Sequence, residues 1–286
     1  MVAGARTEPV LITGCSSGIG HAAAISLHQA GLRVYATARR VDSLADLAQR
    51  GIATLPLDVT DEKSMTDAVA AVQADAAAVG TLINNAGYGL YGPVEQVPMA
   101  EIRRQFETNF FGLVRLTQLV LPGMRRRRGG RILNVSSMGG RATLPGGAFY
   151  HASKYAVEAL SDALRMEVAQ FGIEVVLIEP GPVKTPWNDV AAGSLGEAGG
   201  DPGTDPYAAY KAAVGVSFTR ATSGPLARLG SDAEDIAKVI TRAVTAKRPR
   251  TRYLINPVAM SVVTMNRLLP GRAYDAVIRR QYGLPG

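Results

Sequence analysis

The chain has 286 residues, 47% of them hydrophobic, and a formal net charge of +7; this length provides one sizeable core, so we expect a single domain over residues 1–286. One cysteine, Cys15, and three histidines without ligand spacing exclude an internal disulfide and a multi-cysteine zinc site, and we expect a reducing compartment and no metal. Positive charge gathers in short clusters such as Arg125–Arg128 that lack interleaved aromatic residues, which favours solvated loops over a surface for nucleic acid.

The N-terminal segment carries no pattern of a signal peptide. Arg6 and Glu8 stand where such a peptide would need its apolar region, and no later apolar run reaches the length of a membrane span. The sequence therefore predicts a cytoplasmic protein.

The first predicted element is a short apolar strand, Pro9–Thr13, which runs directly into the glycine-rich turn Gly14–Gly20. A helical pattern follows at once and stops at Gly31. Backbone N–H groups and the helix dipole face an anion in such a strand, turn and helix, so the turn predicts a phosphate site. Its glycine spacing, G-x-x-x-G-x-G, differs from the common dinucleotide pattern G-x-G-x-x-G.

The second predicted strand, Arg33–Ala38, is followed by Arg39 and Arg40. In a nucleotide-binding βαβ unit this strand ends near the adenosine ribose, where an acidic residue accepts a hydrogen bond from the 2′-hydroxyl and an arginine suits a 2′-phosphate. The absence of an acid here favours NADP over NAD. The alternative is that both arginines are only exposed charges at a helix start.

The third predicted strand, Ile52–Val59, has Asp58 near its carboxyl end. Ligands of open α/β sheets gather at such ends, so Asp58 either binds the adenine or caps the next helix, which begins near Thr60. The spacing alone does not choose between these two roles.

The fourth predicted strand begins at Thr81 and ends in Asn84-Asn85-Ala86-Gly87. Buried amides need partners, and these either tie neighbouring strands together or contact a ribose. A long helix predicted over Met99–Met124 carries the polar Asn109 among apolar positions. Asn109 either bonds locally or points into a site.

A tyrosine and a lysine follow the fifth predicted strand, Arg131–Ser136. Tyr150 and Lys154 are four positions apart on an apolar-periodic segment, which places them one helical turn apart on one face. A nearby ammonium favours the phenolate, so the two side chains are a candidate acid/base pair.

The sixth predicted strand, Glu174–Glu179, leads into Pro180-Gly181-Pro182-Val183-Lys184-Thr185. Strands that alternate with helices in this way predict an α/β, Rossmann-like, doubly wound parallel sheet of about seven strands. All of the polar candidates then lie at one edge of that sheet.

The segment that follows is rich in Gly, Ala and Pro and shows no sustained periodicity, which predicts an irregular substrate lid over residues 186–229. Ser231–Glu234 predicts a capping box that opens a helix to about Thr245, and Arg252–Asn256 a last strand. The C-terminal extension, residues 257–286, has an apolar stripe containing methionine, which favours core packing near the lid over a membrane anchor.

Taken together, these motifs resemble the short-chain dehydrogenase/reductase family, in its hydroxysteroid- and retinol-dehydrogenase-like branch. The resemblance covers residues 7–256 and rests on Thr13-Gly14-x-x-x-Gly18-x-Gly20, Asn84-Asn85-Ala86-Gly87, Asn109, Ser137, Tyr150-x-x-x-Lys154 and Pro180-Gly181. It also accounts for the glycine spacing. The family usually places its serine thirteen positions before the tyrosine, which selects Ser137 over Ser136.

The resemblance implies a carbonyl reductase or alcohol dehydrogenase whose catalytic residues are Asn109, Ser137, Tyr150 and Lys154. It implies that Tyr150 transfers a proton, Ser137 bonds the substrate oxygen, Lys154 lowers the pKa of the phenol and holds the nicotinamide ribose, and Asn109 holds a water. Implied cofactor residues are Gly14, Ser16, Ser17, Gly18, Ile19, Gly20, Arg39, Arg40, Asp58, Val59, Asn85, Ala86, Gly87, Tyr150, Lys154, Pro180, Gly181, Val183 and Thr185.

Family members also tend to form dimers or tetramers through the helices that carry Asn109 and Tyr150, so a homo-oligomer is implied. One alternative is an epimerase or dehydratase, whose relatives share the tyrosine and lysine. Another is a regulator that binds NADP(H) without turnover. The apolar residues of the lid and of the loop after Met138 favour a hydrophobic ketone or secondary alcohol as substrate.

Overall fold

The computed structural model describes residues 8–197, 203–223 and 230–284. Seven strands form one parallel sheet, and two more form a small parallel pair. The strands are β1 (Val10–Ile12), β2 (Val34–Ala38), β3 (Ala53–Pro56), β4 (Thr81–Asn84), β5 (Gly130–Val135), β6 (Ile173–Pro180), β7 (Val183–Lys184), β8 (Ser231–Asp232) and β9 (Arg252–Ile255). All seven strands predicted from the sequence belong to the large sheet.

The order of the large sheet is β3-β2-β1-β4-β5-β6-β9, and every neighbouring pair is parallel. The chain therefore builds outward from β1 in one direction and from β4 in the other. In such sheets a crevice opens at the carboxyl ends of the strands where the order reverses. The predicted polar residues follow β1, β4, β5 and β6 at that edge.

Helices cover both faces of the sheet. They are α1 (Gly18–Gln29), α2 (Ala45–Gln49), α3 (Glu62–Ala76), α4 (Met99–Phe106), α5 (Gly112–Arg127), α6 (Ala148–Val168), α7 (Trp187–Glu197), α8 (Ala208–Ser223), α9 (Ala233–Thr245), α10 (Pro257–Leu268) and α11 (Gly271–Tyr282). Together with the sheet they confirm the predicted Rossmann-like α/β fold.

Two apolar layers hold the helices to the sheet. On one face, Leu27 of α1 and Ile240 of α9 pack with Ile12 and Ile83 of the sheet. On the other face, Leu116 of α5 packs with residues of α3, α6 and the central strands. Burial of apolar area on both faces, about 25 cal/mol for each Å², is the main force that fixes the strand order.

The long helix predicted over Met99–Met124 is interrupted. α4 continues through a π-turn, Glu107–Phe111, directly into α5. A π-turn holds one residue more than an α-helical turn, and such turns often occur at functional sites. Asn109 lies inside this turn and is 1% exposed.

The prediction that residues 186–229 are irregular is wrong for the part of them that the structure describes, because α7 and α8 occupy most of that part. Residues 198–202 and 224–229 of the predicted lid lie outside the described residues. Helix α8 has apolar residues spread around its circumference instead of along one stripe, so the helical periodicity is weak in the sequence.

Two predicted helix caps also differ from the structure. The capping box of α9 uses Asp232 and Asp235, one residue later than predicted, whereas the buried Ser231 side chain lies 3.5 Å from the Asn256 amide. The cap of α3 is Asp61, which accepts a hydrogen bond from the Ser64 backbone N–H at 2.7 Å. Asp58 therefore does not cap that helix.

Candidate active site

The glycine-rich turn lies between the end of β1 and the start of α1. Gly14 has φ +71, in the left-handed region, and a Cβ atom there would lie 2.9 Å from the Cα of Ala86. A Cβ atom on Gly20 would collide with the carbonyl oxygen of Gly14 and the side-chain amide of Asn85. Glycine is needed at both positions because the backbone passes so close to its neighbours.

The N-terminus of α1 is free of side-chain caps. Among the residues that the structure describes, no side chain caps its first turn, which Ser17 precedes, and both Ser16 and Ser17 are exposed. Gly18 and Ile19 open the helix and are partly exposed. The unsatisfied N–H groups and the positive end of the helix dipole therefore point to an accessible anion site, which a pyrophosphate fits.

Thr13 and Asn85 fasten this turn to the end of β4. The Thr13 hydroxyl accepts hydrogen bonds from the backbone N–H groups of Asn85 and Ala86, each at 3.0 Å. The Asn85 side chain donates to the carbonyl oxygens of Thr13 at 2.9 Å and Gly14 at 3.1 Å. Asn85 thus ties two strands together, one of its two predicted roles, and leaves Gly87 exposed beside it.

Asn84 also links neighbouring strands. Its amide donates to the Asn134 side chain of β5 at 2.9 Å and to the Thr117 hydroxyl of α5 at 3.2 Å. It is 5% exposed and points into the protein instead of the crevice.

The residues predicted near the adenosine lie at the ends of β2 and β3. Arg39 and Arg40 follow β2 directly and are exposed. The Asp58 carboxylate accepts from the backbone N–H of Thr60 at 2.9 Å and from its hydroxyl at 2.8 Å, while Val59 is buried. Asp58 is thus held in a local turn, and contact with an adenine stays a prediction.

The residues predicted at the carboxamide follow β6. Pro180 ends the strand, and the Gly181 backbone N–H donates to the Ile255 carbonyl oxygen at 3.1 Å. Val183 begins β7 and is partly exposed. The Thr185 side chain lies over Gly18, where a Cβ atom would be 3.4 Å from Thr185 Cγ2. The exit of β6 therefore borders the same crevice as the glycine-rich turn.

Asn109 joins three elements at the rear of the crevice. Its side-chain oxygen accepts from the Tyr88 N–H at 3.0 Å, and its amide donates to the Tyr88 carbonyl oxygen at 2.9 Å and to the Ser153 hydroxyl at 3.2 Å. The sequence left open whether Asn109 bonds locally or points into a site. These contacts show that it bonds to the loop after β4 and to α6. Whether Asn109 also holds a water stays a prediction.

Tyr150 lies in the first turn of α6 and is 7% exposed. Burial raises the pKa of its phenol to about 12, and a hydrogen bond with the Ser137 side chain opposes that rise. The neighbouring Ser136 faces elsewhere, because its buried hydroxyl lies beside Gly140, on the side of Glu158. Of the two candidate serines, Ser137 is the one that contacts Tyr150.

Lys154 is 6% exposed, and its ammonium donates to the Val135 carbonyl oxygen at 2.8 Å. The ammonium nitrogen lies 6.0 Å from the centre of the Tyr150 ring. Burial lowers the pKa of Lys154 to about 8, and the negative charge of Glu158 opposes that fall. The lowering of the Tyr150 pKa by Lys154 stays a prediction, because the side chain found to oppose the rise in that pKa is Ser137.

A cluster of charged side chains lies behind Lys154. Glu158, one turn further along α6, is paired with Arg252 of β9, which also bonds to the fully buried Glu179 at 2.6 Å. Arg141 lies 3.3 Å from Glu179. Burial, together with the charge of Glu179, raises the pKa of Glu158 to about 7. The cluster joins α6, β6 and β9 behind Lys154.

His151 orders the loop over residues 141–147, which lies between Ser137 and Tyr150. Its ring is 2% exposed; one nitrogen, Nδ1, bonds to the Gly139 carbonyl oxygen at 3.0 Å, and the other accepts from the Leu144 N–H at 3.2 Å. These partners fix the neutral form with the proton on Nδ1. Burial accordingly lowers the pKa of His151 to about 4.

Aromatic rings enclose Tyr150. The rings of Tyr91 and Trp187 have their centres 5.9 Å and 5.1 Å from that of Tyr150, and Phe218 lies 4.8 Å from Tyr91. Helices α7 and α8 supply Trp187 and Phe218. Two surface depressions of about 410 and 460 Å³ flank Gly146 and Tyr210, and neither includes Tyr150. The ring of Tyr150 therefore packs in a cluster with residues of α7 and α8.

Sequence reasoning missed three residues at this site. Glu158 follows Lys154 by four positions, so helical spacing was a usable signal for it. Tyr91 and His151 carried no such signal, since an aromatic residue in a loop or helix is more often part of a core. Within the described ranges, no group of three or more His, Cys, Asp or Glu side chains is placed to hold a metal, and no helix there combines the length and apolarity that spanning a bilayer requires.

The family model for short chain dehydrogenases matches residues 8–193. An uncharacterized oxidoreductase, YbbO, of Escherichia coli K12 is 37% identical over 95% of this chain and 94% of its own length. Retinol dehydrogenase 8 of Homo sapiens is 36% identical, with 90% and 83% covered. An NADPH-dependent 3-dehydrocapnine reductase of Ornithobacterium rhinotracheale is 33% identical, with 93% and 94% covered.

Solved structures agree with these relatives. A short-chain dehydrogenase from Streptomyces avermitilis superimposes with a TM-score of 0.78 at 32% identity, covering 98% of this chain and 97% of its own. A serine dehydrogenase complexed with NADP⁺ gives a TM-score of 0.75 at 26% identity, covering 87% and 95%.

Proposed function

The chain belongs to the short-chain dehydrogenase/reductase family, and from that membership we propose that it is an NADP(H)-dependent enzyme that interconverts a hydrophobic carbonyl compound and its secondary alcohol. The family makes it an oxidoreductase that binds a nicotinamide cofactor and acts on small molecules. The preference for NADP, the substrate class and the residue roles given below are our proposal.

The contact between Ser137 and Tyr150 carries this proposal. It places two hydroxyl groups side by side at the edge of the sheet, inside an aromatic enclosure and beside the buried ammonium of Lys154. A carbonyl oxygen that replaced this mutual contact would accept one hydrogen bond from each hydroxyl. A purely regulatory nucleotide site would not need such a pair.

We assign the roles as follows. The nicotinamide, when bound, supplies or accepts a hydride. Tyr150 donates the proton to the substrate oxygen during reduction and takes it back during oxidation, while Ser137 holds that oxygen in place. Lys154 stabilises the phenolate by its charge. Asn109 fixes the loop after β4 against α6, which keeps Lys154 and Tyr150 in position.

The glycine-rich turn would hold the pyrophosphate, and Thr185 would close over it from the β6 exit. Arg39 and Arg40 would pair with a 2′-phosphate, since they are exposed directly after β2 and the end of that strand carries no acidic residue. The relative that is NADPH-dependent and the neighbour complexed with NADP⁺ support this preference.

A homo-oligomer is part of the proposal. The outer face of α6 and the adjoining π-turn expose Met166 (77%), Phe111 (51%) and Tyr155 (40%). Apolar side chains of this size on neighbouring elements are typical of an interface. Light scattering of the purified protein would test it, with a monomer as the contrary outcome.

The function itself is tested by following NADPH consumption with steroid, retinoid, aliphatic and polyketide-like carbonyls. We expect turnover with at least one apolar class and weaker turnover with NADH. Tight NADPH binding without turnover on every class would instead support a regulator.

A further inference from the structure

Glu158 and Lys154 share one face of α6, and both are withdrawn from solvent. They are four positions apart, which places them one helical turn apart. Glu158 is 5% exposed and Lys154 is 6% exposed. Only Lys154 has a role in the proposed mechanism. A buried carboxylate one turn from a buried ammonium acts on it, because charges interact strongly where little water screens them.

The ammonium of Lys154 has little else to compensate its charge. The acceptor that it contacts is the Val135 carbonyl oxygen, at 2.8 Å, which is a dipole and not an opposite charge. Burial lowers the pKa of Lys154 to about 8, and the negative charge of Glu158 opposes that fall. The compensating charge therefore comes from Glu158.

Glu158 lies among charged side chains that other elements supply as well. They are Lys154 and Asp162 of α6, Glu179 of β6, Arg252 of β9 and Arg141 of the segment after β5. The partner of Glu158, Arg252, also contacts Glu179 and Asp162, so one guanidinium serves three carboxylates. One oxygen of Glu158, Oε1, has no hydrogen-bond partner among the described residues. The negative charge of Glu158 is therefore only partly compensated within the cluster.

The backbone at Gly140 packs directly against this part of α6. A Cβ atom on Gly140 would lie 2.8 Å from the Ser136 hydroxyl oxygen, 2.9 Å from Glu158 Cγ and 3.0 Å from the Lys154 carbonyl oxygen. This packing closes one side of Glu158 to solvent, which leaves its charge weakly screened.

We propose that Glu158 is a positioning residue whose negative charge holds Lys154 in its ammonium form and thereby extends to higher pH the range in which Tyr150 donates its proton. The inference rests on the proposed function. Loss of a proton from Lys154 removes a positive charge, and loss of a proton from Tyr150 adds a negative one. A nearby carboxylate opposes both, so its effect has the same sign whichever group titrates first.

Glu158 is ionised where this effect is measured. Burial, together with the charge of Glu179, raises the pKa of Glu158 to about 7. The pKa values of Lys154 and Tyr150 are about 8 and about 12. The two proposed catalytic groups therefore lose their protons above the pH at which Glu158 becomes charged.

The test is the pH dependence of kcat/KM for NADPH-dependent reduction of the apolar carbonyl compound that turns over fastest. We expect the activity of wild type to fall on the alkaline side. Glu158→Gln removes the charge and should move this fall to lower pH by about one unit. Glu158→Asp keeps the charge and should restore the wild-type position. Asp162→Asn, two turns from Lys154 and 47% exposed in its side chain, is the matched control and should not move the fall.

A purely structural role of Glu158 would lower the activity equally at every pH. An alkaline fall at the same pH in wild type and Glu158→Gln would therefore overturn the proposal, and so would an equal shift in Asp162→Asn. Thermal unfolding shows whether Glu158→Gln is folded; if it is not, the neutral Glu158→Ala takes its place with the same expected shift. A wild type that reduces no carbonyl overturns the proposed function, and the role of Glu158 with it.

Discussion

The Ser137 side chain, just after β5, interacts with the phenol of Tyr150 in the first turn of α6 and opposes the rise in the pKa of that phenol that burial causes. The two residues belong to different elements and are brought together by a loop that His151 holds from inside. The contact follows β5, whereas the glycine-rich turn follows β1. We therefore expect substitutions to alter the proposed proton transfer and the proposed binding of the cofactor phosphates separately.

Tyr150→Phe should retain NADPH binding and lose carbonyl reduction by at least about a thousandfold, because the phenol is the proposed proton donor. Binding is measured by the quenching of intrinsic fluorescence and turnover by NADPH consumption. Tyr155→Phe, five residues further along α6 and 40% exposed, is the matched control and should behave like wild type. A Tyr150→Phe variant with full activity would rule out the assigned mechanism.

Arg39→Asp should change cofactor preference from NADPH towards NADH by about tenfold or more. The substitution removes the proposed partner of the 2′-phosphate and supplies an acceptor for a ribose hydroxyl. The ratio of kcat/KM for the two cofactors is the measurement. Arg50→Asp, at the end of α2, is the control for added negative charge; equal ratios in the two variants would remove Arg39 from the cofactor site.

Arg252→Met should destabilise the protein by about 3 kcal/mol, since it leaves Glu158 and the fully buried Glu179 without their main partner. Lys63→Met breaks an exposed pair with Asp67 and should leave the stability close to that of wild type, because water screens that pair. Urea unfolding at neutral pH measures both. Adding Glu158→Gln to Arg252→Met should recover part of the loss, and equal stabilities of the two single variants would contradict a structural role for the cluster.

The pH dependence of stability should contain a contribution from His151. Its pKa is about 4 in the folded protein and 6.5 when unperturbed, so between these values the unfolded chain binds more protons. Stability from this group is complete above pH 6.5 and falls, by up to about 1.4 kcal/mol for each pH unit, as the pH drops towards 4.

The measurement for His151 is urea unfolding from pH 7 to pH 5. Glu158, whose pKa burial raises to about 7, titrates in the same range with the opposite sign, so the informative quantity is the difference between wild type and His151→Gln. We expect the variant to lose less stability on acidification. His28→Gln, on α1, is the control; parallel curves for wild type and His151→Gln would contradict the neutral buried form.

The sequence predicted the sheet well because each strand is a short apolar run followed by polar or glycine residues, and β1 to β6 and β9 show this directly. It failed for α8, where apolar residues surround the helix and no stripe marks it. Composition does not separate Ser137 from Ser136, because neighbouring residues after a strand face opposite sides. The family spacing selects Ser137, and the packing shows that Ser137 faces Tyr150. The place of Tyr282, packed against Tyr91 and Tyr150, could not be predicted, because it depends on how the C-terminal extension folds back.

The π-turn between α4 and α5 fixes the number of residues that the chain needs between these two helices. Deleting one residue from Glu107–Phe111 would allow an uninterrupted α-helix, yet it would turn one half of the helix by about 100° relative to the other. Asn109 would then leave Tyr88 and Ser153, although every backbone hydrogen bond of the helix would be kept. In related sequences, insertions and deletions should therefore be rarer in this helix than substitutions are.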